Sequence, residues 1–345
     1  MLEKPEIQDD KIFARLQSEF GLQVAQVEFL PLGNDMDSAV YRVTLEDGTP
    51  HFLKLRSGVF IDNSVALPKF LSDQGIAQII APTTTKTGQL WANLEPFKLM
   101  LYPFVNGKDG YEIALSDQQW QEFGASLKRI HTTKIPRAIL ETIPQETYSA
   151  KWREIVKTYL ERVKLEVFEE PVAAKLAAFL KTKRDQILEL VERTERLALN
   201  LQARDLDLVV CHADLHAGNL LIAGDRLFIV DWNNPILAPK ERDLMFVGGG
   251  QMAGWRSPKK EETLFYKGYG ETRVDPVALS YYRFERIVQD IAAYCEQLFL
   301  SDEGGEDREQ AFEYLTSNFQ PNSVLEIAYQ ADQARETSKM LERNL

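Results

Sequence analysis

An Asp, an Asn and a second Asp, in that order between Cys211 and Trp232, are the residues of this chain best placed to do chemistry. Asp214 and Asn219 lie five positions apart on a short polar run that follows the apolar segment Leu208-Val209-Val210. Two further apolar segments come next, Leu220-Leu221-Ile222 and Leu227-Phe228-Ile229-Val230, and the second ends at Asp231. Ala223-Gly224-Asp225-Arg226 supplies turn residues between them, so the pair reads as a β-hairpin. Pairing the strands brings Asn219 and Asp231 to one open end, although they lie twelve positions apart in sequence. Such a layout suits phosphoryl transfer, which is catalysed mostly by positioning and by neutralising charge. One carboxylate must face the incoming hydroxyl, orient it and accept its proton, and Asp214 is the candidate. Mg²⁺ prefers hard oxygen donors; Asn219 and Asp231 offer it an amide oxygen and a carboxylate.

A metal reading of a different kind competes locally. His212, Asp214 and His216 alternate with period two, so a strand could present them together as the zinc ligands of a hydrolase. Against it, only His51 and His131 occur elsewhere, and Cys211 is isolated. The two loop histidines read more simply as structural, each hydrogen-bonding backbone, since neither is needed as a base if Asp214 serves.

The spacing H-x-D-x-x-x-x-N followed by a strand-end Asp resembles the catalytic loop and metal-binding Asp of protein kinases. The second His, in H-A-D-L-H-A-G-N (212–219), resembles the aminoglycoside phosphotransferase and choline kinase family. Trp232-Asn233, where protein kinases have Phe-Gly, points to the same small-molecule branch. The stretches D-W-N-N-P-I-L-A-P-K-E-R-D-L-M-F-V-G-G-G (231–250), K-W-R-E-I-V (151–156) and S-Y-Y-R-F-E-R-I-V-Q-D-I-A-A-Y (280–294) resemble its spectinomycin phosphotransferase subgroup. The general resemblance covers much of the chain, the subgroup resemblance mainly its C-terminal half. It implies an α+β, bilobal protein-kinase-like fold. A small N-lobe with an antiparallel sheet would span 1–105, and a larger, mainly helical C-lobe 106–345. It further implies an ATP-dependent O-phosphotransferase using ATP and Mg²⁺. The acceptor would be small and cationic, an aminocyclitol or aminoglycoside antibiotic such as spectinomycin. The alternative is a metabolic kinase of the same fold, acting on choline, homoserine, methylthioribose or fructosamine. A non-catalytic nucleotide-binding module is a third reading, opposed by the joint presence of Lys54, Asp214, Asn219 and Asp231.

The elements needed to position these groups are legible upstream. Asp10 to Phe20 has helical spacing at Ile12, Leu16 and Phe20 and is closed by Gly21. Strands follow at Val24 to Leu30, Ala39 to Leu45 and Pro50 to Arg56. Lys54 sits inside the apolar F-L-K-L; strand context alone fits a solvent-facing lysine as well, and the resemblance makes it the phosphate-binding lysine. The loop 31–38 has one Gly, not a G-x-G-x-x-G pattern, and Gly33, Asn34 and Ser38 are the candidates for bringing backbone N–H groups to the phosphates. Phe97 to Val105 reads as a strand ended by Pro103. By resemblance Tyr102, Phe104 and Val105 then belong to the hinge whose backbone would hold adenine. One departure stands out. Kinases pair the lysine with a helix Glu, yet no Glu occurs between Lys54 and Gly75, Pro68 interrupts that segment, and Asp62 is the candidate replacement.

The remainder reads as largely helical. Ser116 with Gln119 is a capping-box signature before Trp120, Phe123, Leu127 and Ile130 at helical spacing. Helical patterns continue over 150–168, 172–199, 258–269, 276–300 and after Pro321, with an acidic turn at 301–307. Glu241-Arg242-Asp243 reads as a helix start capped by Asp243. Trp255, Tyr281, Tyr282 and Glu285 are aromatic and acidic groups available to a cationic sugar-like acceptor. With 52 acidic against 40 basic residues the net charge is −12, which argues against a nucleic-acid partner and is compatible with a cationic substrate. No apolar run approaches the roughly 20 residues that span a bilayer, the N-terminus has no signal-peptide pattern, and the two cysteines form no disulfide framework. A cytoplasmic enzyme is the expectation; oligomeric state is not readable from this sequence.

Overall fold

The computed structural model describes residues 4–32, 37–301 and 305–343. Two compact units emerge, both discontinuous in sequence. The first comprises Met1–Pro144, His212–Ile236 and Leu264–Gly270, the second Gln145–Cys211, Leu237–Thr263 and Glu271–Leu345.

The first unit begins with helix α1 (Asp9–Arg15), which continues as a π-helical turn, Leu16–Phe20, and stops at Gly21 with φ +75°. Strands β1 (Val24–Leu30), β2 (Ser38–Leu45) and β3 (Pro50–Arg56) follow, then helix α2 (Asn63–Asp73) and strands β4 (Ala92–Leu94) and β5 (Phe97–Pro103). They form a five-stranded antiparallel sheet in the order β1-β2-β3-β5-β4. Period-two alternation divides its faces. Ala39, Tyr41, Val43, Leu53, Leu55, Leu99 and Leu101 join Ile12 and Leu16 in one buried cluster under α1. Lys54, paired with Val40 and Met100, therefore points to the other face, from the central strand. Pro68 lies inside α2 without interrupting it; a Pro costs a helix one N–H bond and crowds one carbonyl, and its ring here is buried.

Strand β6 (Lys108–Asp109) leads to α3 (Asp117–Thr132) and the short α4 (Arg137–Leu140). The capping box of α3 is formed: Gln119 N donates to Ser116 Oγ at 3.1 Å, and Ser116 N to Gln119 Oε1 at 2.9 Å.

The second unit opens with α5 (Lys151–Leu165), α6 (Pro171–Thr182), α7 (Arg184–Gln202) and β7 (Val209–Cys211). The pattern over 172–199 is thus two helices. The break at Lys183 has neither Gly nor Pro to announce it. The chain then returns to the first unit through β8 (Leu220–Ala223) and β9 (Arg226–Ile229), before β10 (Ile236–Ala238). Helices α8 (Glu241–Leu244), α9 (Pro258–Tyr269), α10 (Pro276–Leu300), α11 (Gly305–Ser317) and α12 (Val324–Arg343) complete the chain. Residues 305–307 belong to α11 and not to a turn; 302–304 lie outside the described residues.

In the second unit α10 is the centre, packed by α5, α6, α7, α8, α11 and α12. It starts at Pro276, with Asp275 accepting from Val277 N at 2.9 Å and Ala278 N at 3.2 Å. Asp243 does not cap α8; it lies within the helix, fully buried. In the first unit two glycines allow α3 and the end of α9 to cross closely. A Cβ on Gly124 would stand 2.1 Å from Phe265 O, and one on Gly268 1.8 Å from Gln121 O. The nearby His131 Nδ1 meets Tyr269 Oη at 2.8 Å.

Candidate active site

Every charged or amide side chain singled out for phosphoryl transfer, Lys54, Asp214, Asn219 and Asp231, falls in the first unit. The β8–β9 hairpin closes at Ala223 and Arg226 around a two-residue loop whose Gly224 has φ +60°, as tight hairpins require. At its open end the ladder runs on: Leu220 pairs with Ile229, and Val230 N donates to Asn219 O at 3.0 Å. Asn219 and Asp231 are thereby neighbours across the hairpin mouth. Ile229 N is tied to Gln78 O at 2.8 Å, and Trp232 Nε1 donates to Ile229 O at 3.1 Å. So held, Asp231 adopts φ +63°, a left-handed conformation that Asp tolerates better than most residues.

The loop segment 212–219 is fixed mainly by its histidines. His212 is buried; Asp214 N donates to its Nδ1 at 3.3 Å, so Nε2 carries the proton given to Val230 O at 2.8 Å. Trp232 packs edge-on against the same ring, 4.6 Å between centroids. Ala213 is forced to φ +71° beside Asp214. Local strain of this kind persists where surrounding contacts over-determine it. His216 accepts from Gly218 N through Nδ1 at 3.1 Å, which turns Nε2 toward Asp214 Oδ2 at 3.6 Å. Asn219 Nδ2 donates to Asp214 O at 2.8 Å and lies 3.4 Å from Asp214 Oδ2. Asp214's carboxylate remains 43% exposed, open to an incoming group. Both histidines thus hydrogen-bond backbone, as expected of a structural role.

Lys54 reaches across from β3. Its Nζ donates to Asp231 Oδ1 at 2.7 Å and to Asn233 Oδ1 at 3.0 Å. Asp62, the candidate lysine partner from sequence, is engaged elsewhere: Trp91 Nε1 donates to its Oδ1 at 3.0 Å. It stands just before the first residue of α2, beside Phe60 and Trp91, whose rings meet edge-on. Tyr102 shares the Lys54 face of the sheet, next to Phe52. Burial pushes its phenol up, and the charge on Asp231 adds to that. Phe104 lies under the Arg42 guanidinium at 5.0 Å, and Val105 is half-buried beside it. Ser38 opens β2 and is buried, while Gly33 and Asn34 lie outside the described residues.

Two participants were not singled out from sequence. Asn233 was read only as part of the Trp-Asn pair, because nothing in spacing foretells a partner for a lysine 179 residues upstream. Tyr111 follows the β6 strand that pairs with β8. Its ring stacks on His216 with centroids 5.9 Å apart and planes at 26°. Gly110 N donates to Ala217 O at 2.9 Å, and a Cβ on Gly218 would come within 3.1 Å of Tyr111 Cε2. In the second unit, Tyr281, Tyr282 and Glu285 are buried, and Glu285 is bound to Arg153 at 2.6 Å. They build the core of α10 and are not free to contact an acceptor; Trp255 is 54% exposed.

The comparisons with known proteins bear on the family and the fold. Residues 28–272 match the phosphotransferase enzyme family. The chain belongs to that family. Spectinomycin phosphotransferase APH(9)-Ia, solved with ADP and spectinomycin, is 36% identical, with a TM-score of 0.88 over 96% of this chain and 100% of that one. Amicoumacin kinase hAmiN, in complex with AMP-PNP, Ca²⁺ and Ami, is 18% identical at a TM-score of 0.61 over 94% of each chain. Choline kinase LicA from Streptococcus pneumoniae is 18% identical at 0.55, over 90% of this chain and 99% of that one. The last two show the fold alone. Among curated proteins a sequence comparison finds no match. The α+β, kinase-like architecture and membership among nucleotide-using small-molecule kinases, expected from the motif at 212–231, therefore hold.

The donor set fits a hard divalent cation. Asn219 presents its amide nitrogen to Asp214, so its Oδ1 faces away from that contact, with no hydrogen-bond donor on it among the described residues. Asp231, across the hairpin mouth, adds a carboxylate whose outer surface is 37% exposed. An oxygen-only pair with room for water is what Mg²⁺ takes.

Proposed function

We propose that this protein transfers the γ-phosphoryl group of ATP to a hydroxyl of spectinomycin or a closely related aminocyclitol. The observation that carries the reading is the near-complete alignment with a spectinomycin phosphotransferase at 36% identity. The Lys54, Asp214, Asn219 and Asp231 cluster supplies the chemistry. Asp214 orients the acceptor hydroxyl and takes its proton as the oxygen attacks; its exposed carboxylate and the contacts from Asn219 and His216 suit that task. Lys54 neutralises charge on the nucleotide phosphates. Asn219 and Asp231 would hold Mg²⁺, which when bound screens the negative charge of the phosphates. The backbone from Tyr102 to Val105 would receive adenine, and Ser38 would approach the phosphates. In this reading residues 1–105 carry the nucleotide and 106–345 the catalytic loop and acceptor groups.

The acceptor is cationic, in keeping with the net charge of −12. Consumption of ATP sets the enzyme in the cytoplasm; no helix among the described residues is long and apolar enough to cross a membrane. An ADP-release assay over spectinomycin, aminoglycosides, choline, homoserine and methylthioribose tests the reading. Release with spectinomycin well above the acceptor-free rate is expected. Turnover with choline or methylthioribose and none with spectinomycin would reassign the substrate.

A further inference from the structure

We propose that Asn233 is the positioning residue for Lys54, taking the place that a helix carboxylate holds in protein kinases. The inference rests on the reading of Lys54 as the phosphate-contacting lysine. Three observations carry it. First, the segment that would hold a helix acid contains no Glu, and its Asp62 is committed to Trp91 Nε1 at 3.0 Å. Second, the hydrogen-bond partners of the Lys54 ammonium among the described residues are Asp231 Oδ1 and Asn233 Oδ1, at 2.7 and 3.0 Å. Third, both acceptors sit on one short segment whose backbone is pinned by Asn219, Ile229 and His212, so their positions are set by the hairpin and not by α2.

The chemistry separates the two partners. An ammonium has three donors. With nucleotide and Mg²⁺ bound, Asp231 would serve the metal, and its hold on the lysine would be exchanged for contacts to phosphate oxygens. Asn233 can keep its hydrogen bond through that exchange, leaving two donors for phosphate oxygens. An amide also suits the place better than a carboxylate would. It orients the ammonium without adding a negative charge beside the phosphates, where like charges repel. Asn233 is half-buried and Lys54 is 13% exposed, so water replaces the lost bond poorly.

The test is a double-mutant cycle on the full-length protein, with MgADP affinity read by calorimetry and KM for MgATP against kcat read in the coupled assay. The variants are Asn233→Ala, Asn233→Leu (similar volume, no oxygen), Lys54→Met and Lys54→Met with Asn233→Ala. Thermal unfolding checks that each is folded. A hydrogen bond to a charged group predicts about tenfold weaker MgADP binding and a matching rise in KM for MgATP for both Asn233 variants, with kcat changed less. In the Lys54→Met background Asn233→Ala should cost nothing further. A loss of equal size in that background overturns the proposal, as a metal-binding Asn233 would produce. So does wild-type affinity in Asn233→Leu, because the effect of Asn233→Ala would then be packing. If Lys54→Met itself binds MgADP like wild type, the reading of Lys54 fails instead, which the cycle reports separately.

Discussion

Asp231 carries two burdens that substitutions can separate. Its backbone is left-handed, at φ +63°, and its carboxylate holds Lys54 at 2.7 Å. Ala pays roughly 1–2 kcal/mol in that backbone region, which Asn largely avoids. Loss of the ion pair, with Asp231 37% exposed, costs either variant no more than about 1 kcal/mol. Without nucleotide, Asp231→Asn should therefore unfold within about 1 kcal/mol of wild type, and Asp231→Ala about 1–2 kcal/mol below Asp231→Asn. Nucleotide reverses the emphasis. At MgADP a hundredfold above its dissociation constant, wild type gains about 2.7 kcal/mol of stability by mass action. Losing a carboxylate ligand weakens metal-dependent binding by about a hundredfold, by analogy with the upper range for outer-shell partners. The same MgADP concentration then stabilises Asp231→Asn by only about 0.4 kcal/mol. Urea unfolding with and without MgADP measures both quantities. A full nucleotide gain in Asp231→Asn would refute the metal role. Equal nucleotide-free stability of the Asn and Ala variants would refute the backbone argument.

Glu261 gives a pH prediction from the second unit. It is 2% exposed, and burial, opposed in part by the Gly248 N–H at 3.0 Å, pushes its carboxyl up to about 7. Below the ordinary Glu value both folded and unfolded states are protonated and there is no penalty. As pH rises toward 7 the unfolded state ionises first, so stability falls, by up to about 3 kcal/mol once above it. Glu261→Gln should thus raise stability in urea at pH 8 and leave it unchanged at pH 4; equal effects at both would exclude the titration. Tyr111→Ala should lower kcat about tenfold with little change in KM for MgATP, since a small misplacement of Asp214 through His216 is costly. Tyr111→Phe should restore the rate, and a Phe variant as slow as Ala would show that the stack is not what matters.

How much of this was legible in the sequence follows from how local each signal is. The hairpin that joins Asn219 to Asp231 was readable because apolar segments and a Gly-Asp turn are adjacent in the chain. So were the three strands before Arg56 and the capping box at Ser116, each written within a few residues. The partner of Lys54 was not, because it arrives from 179 residues away through a sheet face, a hairpin and a pinned turn. Asp62 looked suitable by position alone; Trp91, far along the chain, decides otherwise. Tyr281, Tyr282 and Glu285 have the chemistry of a sugar-binding surface, yet burial at the centre of a helical unit removes them, and period-based reasoning does not measure burial. The helix break at Lys183 lacks any breaker residue and was invisible for that reason.

The role proposed for Asp214 is to activate an acceptor hydroxyl for phosphoryl transfer from ATP. Mass spectrometry of spectinomycin incubated with ATP, Mg²⁺ and either the wild-type protein or Asp214→Asn tests it most directly. Wild type should give a product heavier by one phosphoryl group. Asp214→Asn should give almost none, while MgADP affinity stays near wild type. Product formed by Asp214→Asn at a rate close to wild type would contradict it.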